Sequence, residues 1–225
     1  YEIVIRDWSS DVCSSDLDMN AELSRAGLQS RTVRLTLPSP RPGPTPDHHG
    51  VLKSMTAGAR ELADLVGARW YCLPLDLVAA PGLQHVLGEA QDLLVRDDRL
   101  FVNLVAASSE SISLPAAQQA ALFVLGLARR SASGIDNFRV GISANCAPST
   151  PFFPFSRHEG EEAAFSLALE STQTALFLAR TSRDEGASLS EFRDALVREL
   201  GVLMREADAF GMALAECSGL EYRGL

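Results

Sequence analysis

Residues 137–159, NFRVGISANCAPSTPFFPFSRHE, hold the densest set of groups able to bind or process a small molecule. Arg157 and His158 can hold a carboxylate or phosphate, and His158 can also move a proton near neutral pH. Arg139 falls inside an apolar run, where a charge is costly unless it is paired or faces a polar pocket. With Asn137 it is read as a ligand contact. Asn145 and Ser149 add neutral hydrogen-bonding groups, and Cys146 becomes a nucleophile if a base lowers its pKa. The catalytic candidates are therefore His158 and Cys146. The substrate-binding candidates are Asn137, Arg139, Asn145, Ser149 and Arg157. Each has a plain structural counterpart: Arg157 paired with Glu161 or Glu162, His158 closing the loop, Cys146 packed.

The elements that must hold these groups are a strand expected at 138–143 and the loop after it. Pro148, Pro151 and Pro154 alternate with Phe152, Phe153 and Phe155 inside eight positions. Each proline fixes its own φ and restricts the residue before it, so the loop is stiff. The phenylalanines give it apolar surface with which to anchor on the body. A rigid loop anchored at a strand end holds polar groups in register.

Elsewhere the chemistry is thinner. His48 and His49 are adjacent beside Asp47 and lack HExxH spacing, so no metal site is expected and no cofactor is named. Neither GxGxxG after a strand nor GxxxxGK[ST] occurs. Cysteines 13, 72, 146 and 217 form no CxxC, and Cys72 and Cys217 fit small core positions in a reduced, cytoplasmic protein. A formal charge of -9 disfavours nucleic acid, and no apolar run is long enough for a membrane helix.

The rest of the chain alternates helices with short apolar strands. Strands are expected at 31–37, 70–75 and 100–106, and helices at 18–26, 50–66, 83–95 and 116–130. A proline-rich loop spans 38–49. Residues 163–170 read as a strand in preference to the front of a helix. Ser188 and Glu191 form a capping-box pair that opens a last helix, with Phe192, Leu196, Leu200, Leu203 and Ala207 on its inner face. Such alternation predicts an α/β domain with a largely parallel sheet.

Residues 1–17, YEIVIRDWSSDVCSSDL, resemble the in-frame translation of a short-read sequencing adapter. They are read as a non-native extension rather than as a strand. Residues 18–225 are then an incomplete single α/β domain, lacking its N-terminal start and C-terminal part.

The segment 134–160 resembles the signature of the domain of unknown function 711 family, also called the PFL family. Asn137 and Arg139, Ala144 and Asn145, then Pro148, Pro151, Phe152, Phe153, Pro154 and His158 carry the likeness. The segments RLTLPSP, FVNLVAA and EYRGL are similar to the family's order. Phe155, Ser156 and Arg157 depart from it, which weakens Arg157 relative to Arg139 and His158. The resemblance implies an α/β barrel of two halves like that of the glycyl radical enzymes, with Cys146 comparable to their loop cysteine. No glycyl radical segment is present, so that chemistry is not implied. Three readings stay open: an enzyme acting on a small anionic metabolite, a non-catalytic sensor using the same pocket, and a loop that assembles a homo-oligomer.

Overall fold

The computed structural model describes residues 2–6, 32–40, 50–160 and 162–225. Among these, seven strands form one sheet in the order β5-β4-β3-β2-β1-β6-β7. The strands are β1 (Glu2–Arg6), β2 (Thr32–Thr36), β3 (Trp70–Asp76), β4 (Leu100–Ala107), β5 (Val140–Ala144), β6 (Ala164–Ala168) and β7 (Glu221–Tyr222). All neighbours pair in parallel except β1 with β6. An alternating α/β fold with a mostly parallel sheet is therefore present, as the sequence pattern predicts.

Period-two alternation sorts the sheet into two unlike faces. Val33 and Leu35 of β2, Tyr71, Leu73 and Leu75 of β3, and Leu100, Val102 and Leu104 of β4 share one apolar core. Helices α1 (Val51–Leu65), α2 (Leu87–Arg96) and α3 (Leu114–Arg130) cover that face with Leu52, Leu62, Leu94, Phe123 and Leu127. The opposite face carries Thr32, Arg34, Thr36, Cys72, Asn103, Gly141 and Ser143. Its small apolar cluster joins Cys72, Phe101 and Phe153, with Trp70 packed against them. Pro74 is tolerated inside β3 because the β2 ladder ends at Thr36 and Cys72, so no partner requires its missing N–H.

Several boundaries differ from the expectations. Strand β5 starts at Val140, and Asn137, Phe138 and Arg139 lie instead in a 3-10 turn, Ile135–Arg139. Gly134, at φ 69°, opens that turn in the left-handed region. Residues 163–170 hold β6, and the helix follows as α4 (Thr172–Asp184). The capping box at Ser188 and Glu191 opens α5 (Leu189–Ser218). That helix buries Ala207, Gly211 and Leu214, in its second half, while Phe192 to Leu203 remain half-buried or exposed. Cys72 is buried, but Cys217 is exposed rather than a core residue.

The segment rejected as a strand is one. Glu2–Arg6 pairs in parallel with β2 and antiparallel with β6, inside the sheet. Its run of Ile3, Val4 and Ile5 has the β-branched content that such a slot favours. The helix expected at 18–26 and Asp47, His48 and His49 lie outside the described residues.

Candidate functional site

The loop after β5 is laid over the polar face of the sheet. It leaves the strand at Asn145, which sits at φ 55°, a conformation asparagine tolerates better than most residues, and whose N–H bonds the Ala107 carbonyl. The chain then descends to Phe152 and Phe153 at the N-terminal ends of the strands, and climbs back to the carboxyl edge at His158. Each strand it crosses gives it one contact. Gly141 of β5 makes room: a Cβ there would stand 2.8 Å from the Phe155 ring and 3.0 Å from the Pro154 ring. The Asn103 side-chain amide of β4 donates to the Phe155 carbonyl at 3.1 Å. The Cys72 thiol of β3 donates to the Pro154 carbonyl at 3.3 Å, and the Thr36 hydroxyl of β2 meets the Ser156 hydroxyl at 3.0 Å. Burial raises the Cys72 thiol well above its ordinary pKa, so it stays a neutral donor. Phe153 anchors the tip, edge-on to Phe101 at 4.8 Å between centroids.

The returning strand of the loop ends in a cleft of about 280 Å³ at the carboxyl edge, bounded by Ser39, Asp76, Arg157, His158 and Glu159. The His158 N–H bonds the Leu37 carbonyl, and its Nε2 lies 2.9 Å from the Gly160 carbonyl. Facing a carbonyl, Nε2 is placed to donate, and Nδ1 is buried within the protein. Arg157 is held by the Cys146 carbonyl at 3.1 Å and by Glu159 at 3.0 Å. Glu159 was not among the acids anticipated as partners from the sequence; of those, Glu161 lies outside the described residues. Asp76 spends one carboxylate oxygen on the N–H groups of Val78 and Ala79. Ligands of parallel α/β sheets sit at this edge, beyond the carboxyl ends of the strands.

Of the seven residues singled out from the sequence, only Arg157 and His158 meet in this cleft. Cys146 touches it indirectly through its carbonyl, and its thiol lies 3.8 Å from the Ala144 carbonyl. Asn145 is exposed at the turn and Ser149 half-buried in the descending arm. Asn137 and Arg139 are at the other end of β5. The Arg139 guanidinium donates to the carbonyls of Leu94 at 2.7 Å and Leu100 at 2.9 Å, to the Asp97 carbonyl, and to the Asp136 carboxylate. It closes the C-terminal end of α2, where a cation is favoured. Beside it, burial pushes Asp97 up, but bonds from the Tyr71 hydroxyl, the Arg60 guanidinium and the Arg99 N–H outweigh that and hold it below the usual carboxylate range.

Sequence reasoning missed the tethers Thr36 and Asn103 and gave Ser156 no role. Their signal was present: TVRLT puts polar residues on one face of β2, and Asn103 is the lone polar residue of LFVNLVAA. Among the described residues no group of three or more His, Cys, Asp or Glu is placed to hold a metal ion. No helix among them is long and apolar enough to cross a membrane.

The fold and the crossing loop define a parallel-sheet α/β domain whose polar face is plugged by its own chain. The family described as Uncharacterised ACR (DUF711) matches residues 75–225, and the chain belongs to that family. No curated protein matches the sequence.

Proposed function

We propose that the chain acts on a small anionic metabolite in the carboxyl-edge cleft, with His158 as acid or base and Arg157 orienting the anion. The observation that carries this reading is the delivery of both side chains to one cleft by a loop tethered on four successive strands. Such tethering holds a proton-transfer group within the tolerance that catalysis demands. A sensor would use the same cleft without turnover. Assembly through the phenylalanines draws less support, because Phe153 is buried and only Phe152, at 71% exposure, stands clear.

The test is a screen of small carboxylates and phosphorylated metabolites by thermal shift, followed by turnover assays of His158→Gln and Arg157→Gln. Loss of turnover of about 100-fold or more in His158→Gln with binding retained is expected. A ligand bound in the cleft but never converted moves the reading to a sensor. The consecutive order β1 to β5 with its helices on one face also supports half of a PFL-like barrel, and the pattern of free cysteines suits a cytoplasmic protein. An experimental structure of a family member in which the sheet stays open at both edges removes the barrel.

A further inference from the structure

The sheet ends at β5, and no described strand lies beyond it. Among the described residues β5 pairs only with β4, so one row of its N–H and C=O groups faces outward. Natural sheets protect such an edge with charge, proline or a very short strand. The opposite edge follows that rule: β7 is the pair Glu221 and Tyr222, and Arg223 comes directly after it. β5, Val140–Ala144, has neither charge nor proline.

The helix beside this edge is equally unprotected. From Leu114 to Ala128, α3 carries no charged residue. It turns Ala116, Ala120, Phe123 and Leu127 to the sheet, and α2 lies on one flank, where the Gln91 amide reaches the Phe123 carbonyl at 2.7 Å. Helical spacing puts Leu114, Ala117, Ala121, Val124 and Ala128 on the other flank, at alternating steps of three and four residues. That is the seam by which one helix packs on another, and its alanines allow a close approach. Yet Val124 is half-buried and the other four are exposed. Ile142 of β5 pairs with Leu104, on the helix-covered face, and stays nearly half exposed because no described helix lies beyond α3. Ile112 and Leu114 at the carboxyl end of this surface, and Ile135 and Phe138 at its amino end, are at 70% exposure or more. Exposed apolar side chains gathered in this way mark an interaction surface.

The charges bounding the seam select its occupant. Glu110 stands just before α3 and Arg129 in its last turn, and neither side chain has a partner. An acid at one end and a base at the other are matched by the same surface turned end for end. We infer that the β5–α3 edge binds a second copy of this chain in antiparallel register, forming a two-fold dimer with one continuous sheet. The axis, perpendicular to the sheet, sets β5 against β5 and α3 against α3, with each Glu110 beside the other copy's Arg129. Phe138 and Ile135 of one copy then lie by Ile112 and Leu114 of the other, and Ala121, at the middle of the seam, meets itself. Such a contact uses the same patch twice and closes. It does not depend on the function proposed for the His158 cleft.

The test follows the mass of the full chain by sedimentation equilibrium over a wide range of concentration, with circular dichroism to verify that each variant is folded. A reversible species of twice the 24.2 kDa of one chain is expected. Ala121→Glu, at an exposed helix position that leaves the core intact, brings two carboxylates together on the axis. It should raise the dissociation constant by about 100-fold or more. Glu110→Arg and Arg129→Glu should each weaken the dimer by about fivefold or more, and the chain with both swaps should regain the parent's affinity. Phe177→Glu, on α4 at the β6 end of the sheet, should change nothing. The inference is overturned if the chain is monomeric at every concentration, which leaves the edge to a different partner. It is overturned equally if Ala121→Glu associates as the parent does, if the doubly swapped chain is no tighter than either single one, or if Phe177→Glu abolishes the dimer.

Discussion

Replacing Arg139 with alanine separates a ligand contact from a structural brace. The guanidinium makes four charge-assisted bonds, to the carbonyls of Leu94, Asp97 and Leu100 and to Asp136, and its side chain is only 12% exposed. Each such bond contributes roughly 1.5–3 kcal/mol, but bonds from one group are not additive, and water will reach some of the freed carbonyls. A loss of about 3–5 kcal/mol is expected, the range for breaking a buried paired charge. Against a typical domain stability of about 5–15 kcal/mol, that is roughly a fifth or more of the whole. Arg139→Lys should recover only a small part, because a single ammonium cannot reproduce the planar fork that spans three carbonyls. Urea unfolding followed by far-UV circular dichroism measures both variants. Where Arg139→Ala remains folded, ligand binding in the His158 cleft, whose lining does not include Arg139, should equal that of the parent chain. A loss below about 1 kcal/mol, or loss of ligand affinity at unchanged stability, refutes the brace and restores Arg139 to a binding site.

Gly141→Ala should push the crossing loop off the sheet, since its Cβ would lie 2.8 Å from the Phe155 ring. The expected cost is about 1–3 kcal/mol, with faster alkylation of Cys72 as the Pro154 cover lifts, read by site-resolved mass spectrometry. Asp97 and Tyr71 together predict a pH profile. Asp97 is depressed in the fold, so its contribution is present above the unfolded carboxylate pKa near ~3.9 and is lost as pH falls through the lower folded value. Tyr71 is raised to about 12, chiefly by burial, so its contribution holds below the unfolded value near ~10 and is lost as pH rises towards the folded one. Asp97→Asn should flatten the acid limb and keep the alkaline one, and an unchanged acid limb in urea titrations at pH 2–5 rejects the assignment.

Much of the fold was legible because sheet alternation and helix periodicity are local signals. RTVRLTL, WYCLPL and LFVNLVA each became a strand within a residue or two of the expected ends. Phe138 and Arg139 of the 3-10 turn were misread as the start of a strand because they lead into an apolar run, yet Phe138 is 83% exposed, as is Ile135 at 70%. Their exposure depends on Gly134 turning the chain, and no short window of hydrophobicity records that. Strand β1 was dismissed on the resemblance of residues 1–17 to an adapter, and a five-residue segment with three successive β-branched residues suffices to occupy a gap between two strands whatever its origin.

The site was harder to read because proximity in sequence was taken for proximity in space. Arg139 and Asn145 are six residues apart, but β5 lies between them. A strand rises about 3.3 Å per residue, so the two stand roughly 20 Å apart, at opposite edges of the sheet. Once 138–143 was expected to be a strand, that separation already followed, and the two residues could not serve one small ligand. The opposite relation brings Arg34, Trp70 and Phe153 together although they are distant in sequence. Only the parallel register of β2 with β3 and the return of the loop across the sheet make them neighbours. The loop was therefore correctly singled out for its stiffness, but stiffness serves here to span the sheet. It presents His158 at one edge and Phe152 at the other, in two cavities that share no lining residue.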